Sequence, residues 1–300
     1  MNRKPPWVQG PDGQSLEDST ADTLGIPDRK RNAPVGVFDS GVGGLTVARE
    51  IMRQIPEERL IYFGDTARLP YGSKSKDTIV RYSRQVVRFL RTKDVKAIVI
   101  ACNTASAYAL ETIQAETDIP VIGVINAGAR TAVSATRNGR IGVIGTEGTI
   151  GSGIYTEVIR KLGPQTQVIG KACPLFVPLV EEGLLHDSVT DEIASRYLSV
   201  LKGKYIDTLV LGCTHYPLLR STLGRLMGDA VTLVNPAYET ALELRDLLKA
   251  HDLNREPDAC MEGEKYQFYV SDLAEKFTSF AAAILPNQVR ETRKIDIENY

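Results

Sequence analysis

A bias of charge is what this 300-residue sequence lacks first: 36 Lys and Arg stand against 37 Asp and Glu, for a net charge of −1. That balance calls for neither nucleic acid nor an anionic membrane as partner. Long apolar runs are missing too, so no segment is long enough to span a bilayer. The N-terminus holds no apolar signal core, and a cytoplasmic location is expected. There are four cysteines (Cys102, Cys173, Cys213, Cys260) and no Cys-x-x-Cys pair. Their spacing argues against a thioredoxin-type redox centre and a zinc ribbon, and a chain this size needs no disulfide staples. Two nucleotide signatures are also absent. The Gly-rich stretch Asp39–Gly44 has the wrong glycine spacing for a dinucleotide fingerprint, and no Gly-Lys-Ser/Thr follows it.

What is present is organised around Lys96–Leu110. Ile98, Val99 and Ile100 form an unbroken apolar run, as in a strand buried on both faces, and Cys102 follows at its carboxyl end. Asn103, Thr104 and Ser106 then offer short polar groups at the start of a helix. Asp207–Ser221 echoes this stretch, with Leu209-Val210-Leu211 as the strand, Cys213 at its end, and Thr214 and His215 in the places of Asn103 and Thr104. The two cysteines are 111 residues apart. Upstream, Val35–Ser40 resembles Ile141–Thr146 at an offset of 106. The expectation is two similar half-chains, each with one cysteine at a strand end. Strands alternate with helices throughout, which implies an α/β fold of parallel sheets.

Residues 1–33 are rich in Pro, Gly, Asp, Ser, Arg and Lys, and a mobile tail is expected there. Val35–Phe38 is read as a strand whose Gly-rich turn, leading into a helix, is shaped to cradle an anion. Leu60–Phe63 is a second strand, and the loop after it, through Leu69-Pro70-Tyr71-Gly72-Ser73-Lys74, is read as a site wall. Val121–Val124 is a strand that ends near Asn126-Ala127-Gly128. Cys173–Gly183 is an irregular apolar loop that sets the Glu181 carboxylate beside apolar surface, although a solvated loop glutamate fits as well. The tail from Pro286 is charged and expected to be loosely held.

Two cysteines at matching strand ends can face one another across a shared cleft. Paired acid/base groups on opposite sides of a substrate suit racemisation, in which one removes a proton and the other supplies one to the opposite face. A thiol with an intrinsic pKa of about 8.5 can switch state near neutral pH with modest tuning. Asp39 and His215 are the polar groups best placed to hold or shuttle those protons. Ser40, Asn103, Thr104 and Thr214 are suited to fix a carboxylate and an ammonium. A pyridoxal cofactor is not expected, because no lysine occupies an equivalent strand end. Three rivals remain open on residues alone: a Cys-His hydrolase, a metal site of Cys102, Cys213 and His215, and a two-lobed binding protein. A phosphatase loop is excluded, because Arg220 lies one residue too far from Cys213.

Gly36–Gly44, Pro70-Tyr71-Gly72, Ala101-Cys102-Asn103-Thr104 and Gly212–Pro217 together resemble the motif set of the bacterial glutamate racemases, within the aspartate/glutamate racemase family. The resemblance covers roughly residues 34–284. It implies two pseudo-symmetric parallel-sheet lobes with the active site in the cleft between them. It also implies cofactor-independent interconversion of L- and D-glutamate, with D-glutamate feeding peptidoglycan synthesis. Cys102 and Cys213 would be the acid/base residues, assisted by Asp39, Glu181 and His215. Asp39, Ser40, Pro70, Tyr71, Gly72, Asn103, Thr104, Thr146, Thr214 and His215 would contact substrate, and no metal is implied. The implied domains are residues 34–126 with 237–285, and residues 127–236, flanked by tails 1–33 and 286–300. Many relatives have Asp-Ser where this chain has Asn235-Pro236. An aspartate racemase of the same family is the nearest alternative, and a homodimer is compatible with the resemblance.

Overall fold

The computed structural model describes residues 30–257 and 263–300. In chain order its elements are β1 (Val35–Asp39), α1 (Leu45–Gln54), β2 (Leu60–Gly64), α2 (Lys76–Arg91), β3 (Ala97–Ile100), α3 (Asn103–Glu116), β4 (Val121–Gly123) and α4 (Val124–Ala135). They continue with β5 (Arg140–Gly145), α5 (Glu147–Gly151), α6 (Ile154–Leu162), β6 (Gln167–Ala172), α7 (Phe176–Glu181), α8 (Ser188–Lys202), β7 (Thr208–Gly212) and α9 (Arg220–Met227). The last are β8 (Thr232–Val234), α10 (Pro236–Ala250), β9 (Tyr266–Val270), α11 (Ala274–Ile284) and β10 (Thr292–Lys294). None of the helices among the described residues is long and apolar enough to cross a membrane.

Two parallel sheets result. One has the order β10-β9-β2-β1-β3-β4 and the other β6-β5-β7-β8. The second repeats the run β2-β1-β3-β4 of the first, with β5 for β1, β6 for β2, β7 for β3 and β8 for β4. The register repeats too: Gly36 faces Ile98, and its counterpart Gly142 faces Leu209. These are the residues that the 106- and 111-residue echoes align. β1, β2, β3 and β7 are buried along their whole length, because helices cover both faces of each sheet. In each sheet the strand order reverses beside the first strand, between β1 and β3 and between β5 and β7. Ligands of open α/β sheets bind in the crevice at such a point.

The chain leaves the first sheet through α4 and returns through α10. Gly128 of α4 lets α10 approach: a Cβ there would lie 2.8 Å from Pro236 Cγ. Asn235 caps α10 by accepting a bond from the Ala237 N–H at 3.1 Å, and Pro236 occupies the first turn, where its missing N–H costs nothing. The departure at Asn235-Pro236 is thus a helix start packed on the crossover helix.

Four expectations need correction. The strand expected to end near Asn126-Ala127-Gly128 stops at Gly123, and those residues lie in α4, which begins at Val124. Cys173–Gly183 is not irregular: α7 runs from Phe176 to Glu181, with Phe176, Leu179 and Val180 buried. Order begins before Pro34, because Arg31 pairs with Asp252 at 2.5 Å, the Arg31 carbonyl accepts from Lys96 Nζ at 2.6 Å, and Asn32 Oδ1 accepts from Arg255 Nε at 3.2 Å. Residues 1–29 and Cys260 lie outside the described residues.

The C-terminal segment is not loosely held. β10 pairs along β9, with Thr292 facing Phe268 and Lys294 facing Val270. Ile297 is buried, and the Tyr300 ring packs edge-on against Phe89 at 5.4 Å. Charged neighbours masked the apolar positions Ile295, Ile297 and Tyr300 in the sequence. Deleting residues 291–300 removes a strand and these contacts, a loss of about 3–4 kcal/mol by ordinary burial values, and is expected to lower Tm by about 10 °C. A thermal melt within about 2 °C of the full chain would show the segment to be dispensable.

Candidate active site

The carboxyl ends of the two sheets meet at one crevice. Cys102 follows β3 and stands at the N-cap position of α3, and Cys213 follows β7. Both thiols are almost fully buried and line the same space. Ser40, Pro70, Tyr71, Gly72, Asn103, Thr104, Thr146, Glu181, Thr214 and His215 line it as well. All the expected site residues are therefore brought together here except Asp39, which lies one layer behind the wall. The crevice encloses about 30 Å³, room for a water or two. An apolar cavity of about 290 Å³ adjoins it and shares Leu69, Pro70, Gly72, Thr146, Val177 and Glu181.

Asp39 ends β1 with no exposed surface. Its Oδ2 accepts from the N–H groups of Gly41 (3.1 Å) and Gly44 (3.0 Å), and its Oδ1 from Thr214 Oγ1 across the cleft at 3.4 Å. The Gly-rich turn is therefore no anion cradle for a ligand, because two of its N–H groups are committed to Asp39. Its glycines serve close approach instead. A Cβ on Gly43 would fall 2.4 Å from Thr214 Oγ1 and 2.5 Å from His215 Nδ1. Burial pushes the Asp39 carboxyl up, against the opposing pull of His215 and the turn amides.

On the second lobe, His215 Nδ1 lies 3.8 Å from Cys213 Sγ, and His215 Nε2 lies 3.1 Å from Glu181 Oε1. α7 thus carries the Glu181 carboxylate to the far side of the imidazole. On the first lobe, burial and the nearby Asp39 push the Cys102 thiol up to about 12. Thr104 Oγ1 bonds to Thr146 Oγ1 (2.9 Å) and Thr149 Oγ1 (3.2 Å), linking the start of α3 to the loop after β5. Asn103 Oδ1 accepts from Tyr155 OH at 2.8 Å. Gly72 fits against Thr146, where a Cβ would come within 2.6 Å of Thr146 Cβ. Among the described residues, no group of three His, Cys, Asp or Glu side chains is placed to hold a metal ion.

Sequence reasoning missed Val177 in the walls, and Thr149 and Tyr155 behind them. Val177 was within reach as an apolar residue one helical turn before Glu181. Tyr155 carries no local signal, since only the packing of α6 against α4 aims its hydroxyl at Asn103.

A model of the Asp/Glu/hydantoin racemase family matches residues 37–243, which include both cysteines. The chain belongs to that family. It is 47% identical over 264 residues to the glutamate racemase of Geobacter metallireducens, covering 88% of this chain and 97% of the relative. Among solved structures, the glutamate racemase of Francisella tularensis in complex with D-glutamate superposes with a TM-score of 0.83 at 38% identity, over 90% of this chain and all of that one. The glutamate racemase of Thermus thermophilus in complex with β-chloro-D-alanine superposes with a TM-score of 0.80 at 40% identity, over 90% and 99%.

The His215 environment sets a pH dependence. Burial disfavours its imidazolium, but the hydrogen bonds with Cys213 and Glu181 outweigh that and push its pKa from 6.5 up to about 10. The folded protein then holds this proton more tightly than the unfolded chain. Its contribution to stability is complete below about pH 6.5 and is lost as pH rises toward 10. Between pH 7 and 10, the urea unfolding free energy of the wild type is expected to fall by on the order of a few kcal/mol more than that of His215→Gln. Parallel curves for the two proteins would overturn this assignment.

Proposed function

We propose that this racemase interconverts L- and D-glutamate without a cofactor, by proton transfer between Cys102 and Cys213. The observation that carries the reading is the placement of the two thiols, each at the carboxyl end of a register-equivalent strand and both lining one crevice. Glutamate is the substrate favoured by the names of relatives 38–47% identical over most of the chain. The product D-glutamate would then supply peptidoglycan synthesis.

In each direction one thiolate removes the α-proton of the bound amino acid. The electron pair left on the α-carbon spreads into the adjacent carboxylate, and the opposite thiol delivers its proton to the other face. The first cysteine ends as thiol and the second as thiolate, so the next turnover runs in reverse or after a proton exchange. His215, between Cys213 and Glu181, is placed to exchange a proton with Cys213. Ser40, Asn103, Thr104 and Thr214 offer short donors and acceptors for the substrate's carboxylate and ammonium. Glutamate does not fit in about 30 Å³, so the walls at residues 69–73 and 174–181 must part to admit it. The adjoining apolar cavity marks the side on which they part.

Chiral chromatography of L-glutamate and L-aspartate incubated with the protein separates the two substrates, and product from aspartate alone would sink the glutamate reading. For the mechanism, Cys102→Ala and Cys213→Ala are each expected to lower racemisation by about 10³-fold, as when a positioned acid or base is lost. Each Cys→Ser variant should still eliminate HCl from one enantiomer of 3-chloroglutamate, since elimination needs a single base. The two variants should act on opposite enantiomers. If both process the same one, the two-base assignment is wrong.

A further inference from the structure

The Pro70-Tyr71-Gly72 wall is held from outside the crevice. The Tyr71 hydroxyl donates to Asp65 Oδ2. The same oxygen accepts from Arg68 Nε at 2.8 Å, and Asp65 Oδ1 accepts from Ser271 Oγ at 2.8 Å. Asp65 follows β2, has no exposed surface, and donates its N–H to the Asp39 carbonyl at 3.0 Å. The Arg68 guanidinium stacks over the Tyr82 ring at 4.0 Å, and that ring packs on Tyr71 at 5.6 Å. Arg68 Nη1 donates to Gln85 Oε1 at 2.5 Å and to Glu298 Oε1 at 3.1 Å. Gln85 Nε2 donates to Glu298 Oε2 at 3.2 Å. A continuous set of bonds therefore runs from the third-last residue of the chain to a wall of the crevice. Asp65, Arg68 and Glu298 themselves do not line it.

We propose that Asp65, Arg68 and Glu298 are positioning residues that fix Tyr71-Gly72 against Thr146 of the other lobe in the substrate-binding arrangement. The inference rests on the proposed racemase reading and deepens it. A guanidinium can serve two carboxylates at once because its donors form a rigid planar fork, with Nε toward Asp65 and Nη1 toward Glu298. The pair with Asp65 is buried, whereas Glu298 is two-thirds exposed. Glu298 is therefore the member that can be changed without leaving an uncompensated charge inside the protein. The wall touches substrate and not the travelling proton, so its loosening acts on binding and not on the proton step.

Kinetics with both glutamate enantiomers test this. Glu298→Ala is expected to raise KM about three- to tenfold for each enantiomer, with kcat within about twofold and Tm within a few degrees, a range set by the modest strength of half-exposed ion pairs. Tyr71→Phe keeps the ring but removes the hydroxyl link to Asp65. In that background, Glu298→Ala is expected to have no further effect on KM. Should Tyr71→Phe fail to fold, Arg68→Lys, which keeps the charge and loses the fork, serves as the background. Amide exchange in the peptide 65–75 is expected to quicken in Glu298→Ala, and this readout needs no activity. An unchanged KM, a fall in kcat alone, multiplying KM effects, or unaltered exchange would each overturn the proposal. A wild type inactive on glutamate would instead overturn the racemase reading, leaving the exchange measurement to judge the clamp.

Discussion

The buried Asp39 carboxylate is the constraint on which the site depends. It closes the turn after β1 through the Gly41 and Gly44 amides, and it reaches across the cleft to Thr214. Thr46 Oγ1 adds a second link, donating to the Thr214 carbonyl at 3.1 Å. Both contacts demand that the β1–α1 turn lie almost on top of Thr214-His215, which only glycine at position 43 permits. Once that approach is fixed, so is the separation of the strand ends that carry Cys102 and Cys213. A desolvated carboxylate is costly unless its oxygens are bonded, and here three donors meet it. The geometry of the cleft and the satisfaction of this one group are therefore the same requirement.

The lobe contacts also explain why the chain can enclose so small a crevice. Thr104, Thr146 and Thr149 form a hydroxyl cluster between the lobes, and Gly72 backs onto Thr146. Such bonds between neutral hydroxyls are individually worth about 1 kcal/mol and exchange readily with water. They join the lobes without locking them. The Asp39 contacts, fully buried, serve instead as the fixed side of the same joint.

Much of this was legible in the sequence because the signals were local. Buried strands announce themselves as apolar runs, and the two echoes aligned Gly36 with Gly142 and Ile98 with Leu209, pairs that occupy matching positions in the two sheets. Every expected site residue except Asp39 lines the crevice, and most do so for the same reason: they follow a strand end, in the loop or at the start of the next helix, whereas Glu181 is brought in by α7. Asp39 sits one layer behind the crevice, because its turn folds back to bond it, and sequence shows only that a carboxylate ends the strand. α7 was missed because Pro174 and Pro178 suggested a loop, yet proline is tolerated in the first turn of a helix, where its N–H has no partner to lose. β10 was missed because a three-residue edge strand has no periodicity of its own. Its existence depends on the open edge of β9, which is a tertiary fact.

The two halves of the site share a strand plan but not an electrostatic plan, and the proposed two-base reaction accounts for the difference. Cys102 is the N-cap of the 14-residue helix α3, so the Ala105 N–H and the positive end of the helix dipole lie at its sulfur. Cys213 is followed by the short 3-10 turn Tyr216–Leu219, a weaker dipole, and has the His215–Glu181 pair beside it instead. The proposed two-base mechanism requires that each sulfur be able to bear charge in turn, and it sets no condition on the source of the compensating charge. A backbone dipole on one lobe and an imidazole on the other both meet that need. The register of the strands had to be kept through the two half-chains, because it aims the thiols. The surroundings of each thiol were free to diverge, and it is there that the echo in the sequence breaks, at Asn103-Thr104 against Thr214-His215.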